Sequence, residues 1–185
     1  MIGTHDSYTY LKASSPFMEL LSFLWRTQDK TIEEQKALGV GYFDIRVRYD
    51  RKRKCWRTCH GLVDFDLCFP SIEGILNAFS IHKVRLILER GRAYDENIFR
   101  YCMSRVCDYP CLSFAAIKKD WKVLVDKDPK IRDYSFVPFL SNLSFWENIK
   151  RMRWLDTIRH YARNHRPTVT EEMRNEDTVH FMDYV

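Results

Sequence analysis

Apolar and polar residues recur along this chain with two periods, and the switches between them mark the elements. From Ser15 an apolar stripe of Phe17, Leu20, Leu21 and Leu24 runs at helical spacing, with serine as N-cap and Pro16 in the first turn. Thr31 and Glu34 fit a capping box, and the short helix they open stops at Gly39. Residues 40–48 then alternate as a strand does. Phe43, Ile45 and Val47 fall on one face, and Tyr42, Asp44, Arg46 and Arg48 on the other. Three charges on one strand face call for water or a site beside them. The basic stretch 49–58 reads as a hairpin-like excursion. The spacing predicts a helix over 70–81, a short buried strand over 84–89 and a helix over 96–106. Strands are predicted over 111–117, 134–139 and 178–185. The longest helix is predicted over 144–164, with Phe145, Ile149, Met152, Leu155 and Ile158 inward. Strands that alternate with helices predict an α/β fold with a mainly parallel sheet, in one domain spanning 1–185.

The chain has 185 residues, 45% of them hydrophobic and 30% charged, which suits a globular protein with a sizeable core. No apolar run reaches the roughly 18 residues of a membrane span. The first residues lack the basic and apolar regions of a secretory signal, so the expected location is cytoplasmic or peripheral to a membrane. The cysteines at 55, 59, 68, 102, 107 and 111 are then read as reduced thiols. Cys55, Cys59 and His60 do not have the spacing of haem attachment, and no second ligand pair completes a zinc site. The net charge is +5, gathered into two runs, Arg46 to Arg57 and Arg151 to Arg166. Such runs are solvated faces or a field for phosphate-bearing substrates, lipid surfaces or nucleic acid. No recognised nucleic-acid motif accompanies them, so a nucleic-acid partner is not expected.

The chemistry concentrates in Gly3-Thr4-His5-Asp6-Ser7, where a histidine and a carboxylate adjoin in a turn. Arg46 and His60 follow. Two imidazoles and a guanidinium suffice for phosphodiester cleavage, because one ring takes a proton, one gives a proton, and the guanidinium neutralises the phosphate. His82, His160, His165 and His180 have no such context and read as structural.

These motifs, with Glu34-Gln35, Gly39 through Arg46, His60-Gly61 and, more loosely, Val84 through Glu89 and Phe181 through Val185, resemble the catalytic X domain of phosphatidylinositol-specific phospholipase C in its bacterial, metal-independent form. The resemblance implies a compact, distorted or incomplete TIM barrel with its site at the C-terminal ends of the strands. His5 and Asp6 would follow the first strand, Arg46 would lie on the second, and His60 in the loop beyond it. His5 is then the general base on an inositol hydroxyl and His60 the general acid to the glycerol oxygen. Arg46 grips the phosphate, Asp6 serves the proton network and Asp183 orients His5. Arg46, Asp44, Glu89 and Arg90 are the expected substrate contacts. No cofactor is expected, since arginine stands where calcium-dependent relatives carry an acidic residue. The alternative is a divalent metal at Asp6, Asp44 and Glu89. The implied substrate is a phosphatidylinositol or a related glycerophosphodiester, with peripheral membrane contact, for which Trp56 in the basic loop is a candidate. The functional alternative is a non-catalytic module that binds phosphate or a lipid headgroup on a shortened barrel.

Overall fold

The computed structural model describes residues 1–79, 82–89, 93–104, 112–117, 123–125, 130–134 and 158–185. Its strands are β1 (Ile2–Thr4), β2 (Tyr42–Asp50), β3 (Cys55–His60), β4 (Val63–Phe69), β5 (Lys83–Glu89), β6 (Leu112–Ile117), β7 (Val123–Val125), β8 (Ile131–Asp133) and β9 (Val179–Met182). Its α-helices are α1 (Pro16–Leu20), α2 (Ile32–Ala37), α3 (Ile72–Asn77), α4 (Ala93–Ser104), α5 (Ile158–His165) and α6 (Glu171–Asn175).

One sheet runs in the order β7-β6-β5-β2-β1-β9-β8, and β3 leaves it from β2 to pair with β4. The pairs β8–β9, β9–β1, β1–β2, β2–β5 and β5–β6 are parallel. β2–β3, β3–β4 and β6–β7 are antiparallel. The parallel strands curl into part of a barrel. Among the described residues β7 and β8 form its two ends, and no ladder joins them. A closed eight-stranded barrel is therefore not what these residues make.

The two faces of β2 divide as alternation predicts. Phe43, Ile45 and Val47 join Val84, Leu86 and Leu88 of β5 in a core covered by Ile72, Ile75, Leu76, Phe79 and Phe99. The opposite face lines the concave side, where Tyr42 packs with Val179 and Phe181. The capping box at Thr31 and Glu34 is formed, and Gly39 leaves the helix with φ +82°.

Several expectations are corrected. β2 starts and ends two residues later than the predicted strand, and the hairpin-like excursion expected over 49–58 is a hairpin around a turn at 51–54. The helix after Ser71 is shorter than 70–81, with the Ser71 hydroxyl capping Gly74 N–H. The stripe from Phe17 to Leu24 is not buried. Phe17 and Leu20 are 67% and 75% exposed, because α1 spans only five residues and none of the described elements covers that side. Trp56 is a core residue, tilted against Tyr49 and edge-on to Phe99, and is no candidate for a membrane surface. Of the helix predicted over 144–164, the described part is α5 and the rest lies outside the described residues, as do 135–139 of the strand predicted over 134–139.

Gly3 shows how tightly the concave side is filled. A Cβ there would lie 2.8 Å from Val179 Cγ1 and 3.1 Å from the Phe181 ring. Gly3→Ala should cost about 1–3 kcal/mol through overpacking. The expected readout is a lower urea midpoint at unchanged slope. An unchanged midpoint would show that β9 yields without cost.

Candidate active site

The C-terminal ends of β1 and β5, the first half of β2 and the end of β3 deliver the charged residues to one place. β1 ends at Thr4, and the chain turns at once. Thr4 and Ser7 hydroxyls meet at 2.8 Å, Ser7 N–H donates to Asp44 O at 2.9 Å, and Thr9 N–H donates to Asp6 O at 2.9 Å. This cage holds Asp6 at φ +48°, a left-handed conformation uncommon for a residue with a side chain. His60 is the last residue of β3, on an antiparallel strand and not in a loop as the resemblance implies.

Asp6 is the hub. Its Oδ2 lies 2.9 Å from His5 Nδ1 and 3.2 Å from His60 Nε2, and its Oδ1 contacts Arg46 Nε. Arg46 also reaches His5 Nε2 at 2.8 Å, Glu89 Oε1 at 3.3 Å and Asp44 Oδ2 at 3.6 Å. Asp183 Oδ1 stands 3.5 Å from His5 Nδ1. His5, Asp6, Arg46, His60, Asp44, Glu89 and Asp183 thus converge, while Arg90 lies outside the described residues. The His60 side chain is 17% exposed, so the cluster reaches solvent.

Hydrogen-bond roles separate the two histidines. A guanidinium only donates, so in the neutral ring the Arg46 contact makes Nε2 of His5 an acceptor and places the proton on Nδ1, toward Asp6 and Asp183. His60 instead faces oxygen on both sides, with Trp25 O 2.8 Å from Nδ1 and Asp6 Oδ2 beyond Nε2. Burial disfavours a charged His5, but the Asp6 carboxylate and hydrogen bonds to Asp183 and Asp6 outweigh it and raise its pKa well above the ordinary value. Burial also opposes ionised Asp6, yet Arg46, His5 and His60 hold its pKa well below the carboxylate range. Asp44 is pushed upward, first by burial and further by Asp6, with Arg46 opposing.

Of the supporting residues Thr27 and Gln28 carry no sequence signal of a site, whereas Gln35 lies in the Glu34-Gln35 stretch of the resemblance. Gln28 Nε2 donates to both His5 O and Met182 O, Thr27 Oγ1 donates to His5 O, and Gln35 Nε2 donates to Ser7 O. Glu89 Oε2 accepts Gly61 N–H at 2.7 Å, and Arg48 donates to Gly61 O at 2.7 Å, so the turn after His60 is held at both ends of one residue. The basic run is largely spent internally, with Arg48 on Asp64, Arg51 on Asp95 and Arg57 on Asp50. Among the described residues the donor cluster that fits a metal is His5, Asp6 and Asp44, and Glu89 is not part of it.

No family model matches the chain, and no curated protein matches it in sequence. Solved structures do. A phosphatidylinositol-specific phospholipase C from Listeria monocytogenes superposes with TM-score 0.60 at 15% identity, over 100% of this chain and 87% of that one. A phosphatidylinositol-specific phospholipase C of Staphylococcus aureus, described for its membrane binding, superposes with TM-score 0.58 at 14% identity, over 100% and 85%. This protein therefore has the fold of the bacterial phosphatidylinositol-specific phospholipases C.

Proposed function

We propose that this protein cleaves a phosphodiester of the phosphatidylinositol class by paired-histidine acid–base catalysis. The observation that carries the proposal is one Asp6 oxygen within reach of both imidazoles, with Arg46 between the carboxylates. In the proposed step an inositol hydroxyl takes the place of the guanidinium N–H at His5 Nε2 and gives that nitrogen its proton. Its oxygen attacks phosphorus, and the bond from phosphorus to the glycerol oxygen breaks. His60 supplies the proton to the departing oxygen, leaving a cyclic inositol phosphate and a diacylglycerol. Arg46 faces the charge that grows on the phosphoryl oxygens.

A metal is not required in this proposal. Arg46 supplies a permanent positive charge amid Asp6, Asp44 and Glu89, where a divalent ion would otherwise be needed. His5→Ala and His60→Ala should each lower release of a water-soluble inositol phosphate by about 10²–10⁴-fold with folding retained, and excess EDTA should leave the wild-type rate unchanged. Wild-type rates in both variants, or bound phosphate with no turnover by the wild type, would leave only a binding module.

The pH profile tests the base. His5 must lose its proton to act, so kcat/KM should fall as pH drops through its raised pKa. Asp183→Asn removes a carboxylate that favours the charged ring, which lowers that pKa and shifts the acidic limb to lower pH. A limb that stays in place would argue against His5 as the base.

A lipid surface suits the residues next to the site. Phe17, Leu20, Phe23 and Leu24 are exposed just before Trp25, whose carbonyl binds His60, and Leu62, 69% exposed, follows His60-Gly61. No described helix is long and apolar enough to cross a membrane, so contact would be peripheral. Leu20→Ser combined with Leu62→Ser should weaken partitioning onto phosphatidylinositol-containing vesicles more than tenfold, because each inserted leucine contributes about 1.5–3 kcal/mol. Sedimentation with vesicles at high salt reads this apart from charge. Unchanged partitioning would remove these residues from the contact.

A further inference from the structure

The β3–β4 hairpin carries His60 near its closed end and two cysteines at its open end. Trp56 pairs with Phe69 and Arg57 with Cys68, so Cys55 and Cys68 are diagonal neighbours on one face of the ladder. Their Sγ atoms are 2.6 Å apart, inside ordinary sulfur contact and close to the roughly 2.05 Å of a disulfide bond. Cys59 points elsewhere, its Sγ 3.7 Å from Glu89, and Cys102 belongs to α4.

We propose that Cys55 and Cys68 are a disulfide-forming site that staples the open end of this hairpin, with a low-molecular-weight disulfide as the oxidant. Cys68 is partly exposed, whereas Cys55 is buried. Burial first, and then Cys68 itself, raise the Cys55 pKa to about 11, so Cys55 stays protonated longer. Cys68 therefore makes the first attack. As the thiolate it attacks one sulfur of the external disulfide, the S–S bond breaks, and one thiolate leaves. Cys55 gives up its proton and attacks Cys68 Sγ in the mixed disulfide, expelling the second thiolate. Two protein thiols are oxidised, and one external disulfide is reduced to two thiols.

The bond would close thirteen peptide steps around the hairpin and restrict the unfolded chain. It makes no use of turnover, so it stands or falls apart from the proposed phosphodiester chemistry. The experiment equilibrates reduced full-length protein with glutathione disulfide under native conditions. Intact mass, a non-reducing peptide map and thermal unfolding are then read. The expected result is loss of two hydrogens, a linked peptide pair containing Cys55 and Cys68, and a Tm higher than that of the reduced protein by roughly 6–12 °C. Cys68→Ser should abolish both the link and the rise. A link to Cys59 or Cys102 instead, stable glutathione adducts at Cys68, or an unchanged Tm after linkage would overturn the proposal. The peptide map on the unmodified sequence decides the matter even if a variant fails to fold.

Discussion

The contact between Asp6 and Arg46 is a buried ion pair, with side-chain exposures of 1% and 10%. Removing two charges from water costs several kcal/mol per ion, and only good geometry with further hydrogen bonds offsets it. Arg46 meets that demand with hydrogen bonds to Glu89 and His5, and Asp6 is surrounded by groups that carry or can take positive charge. Asp6 takes two imidazoles, and Arg46 takes Glu89, Asp44 and His5. The backbone is bent to suit, since Asp6 keeps a left-handed conformation that only the Thr4–Ser7–Thr9 cage and the Asp44 carbonyl over-determine. Short β1 can do this because it is paired on both sides, to β2 and to β9.

Much of this was legible in the chain itself. Alternation in β2 assigned Asp44 and Arg46 to one face and the apolar residues to the other, because a strand has a period of two. The His-Asp turn was legible as chemistry because those side chains have no reason to adjoin in a core. What escaped has physical reasons too. Gln28 is a fully buried amide whose role depends on carbonyls far away in sequence, and no local pattern marks it, while the resemblance covers Gln35 without giving its bond to Ser7 O. The stripe from Phe17 to Leu24 has helical spacing, but spacing says only that apolar residues share a face, not that anything covers it. Trp56 sits in a basic run and looks interfacial, yet the run is a hairpin whose other face is core.

The charge run taught the same lesson. Counted along the chain, Arg46 to Arg57 suggests a strong positive field. In space Arg48, Arg51 and Arg57 meet Asp64, Asp95 and Asp50, two of them from other elements, and the outward field shrinks accordingly. Arg46 differs because it turns inward among carboxylates whose own pKa values are driven apart, Asp6 down and Asp44 up. As pH falls, Asp44 takes a proton before Asp6 does. The negative charge around Arg46 then drops while the Asp6 hub stays ionised.

Glu89 links the two halves of the site. One oxygen meets Arg46, and the other accepts the Gly61 N–H, one residue beyond His60. Arg48 fixes the Gly61 carbonyl from the other side. The guanidinium and the second imidazole are thus set relative to each other through two buried carboxylates, Glu89 and the Asp6 that touches both, rather than by two independent loops. Hydrogen bonds to Glu89 and His5 engage two of the five N–H donors of Arg46 while its charge pairs with Asp6. In the proposed reaction, then, the group that holds phosphorus and the group that protonates the leaving oxygen need not be brought together on binding. Their separation is already built into β2, β3 and β5, and the entropy of aligning them is lost on folding instead of at each turnover.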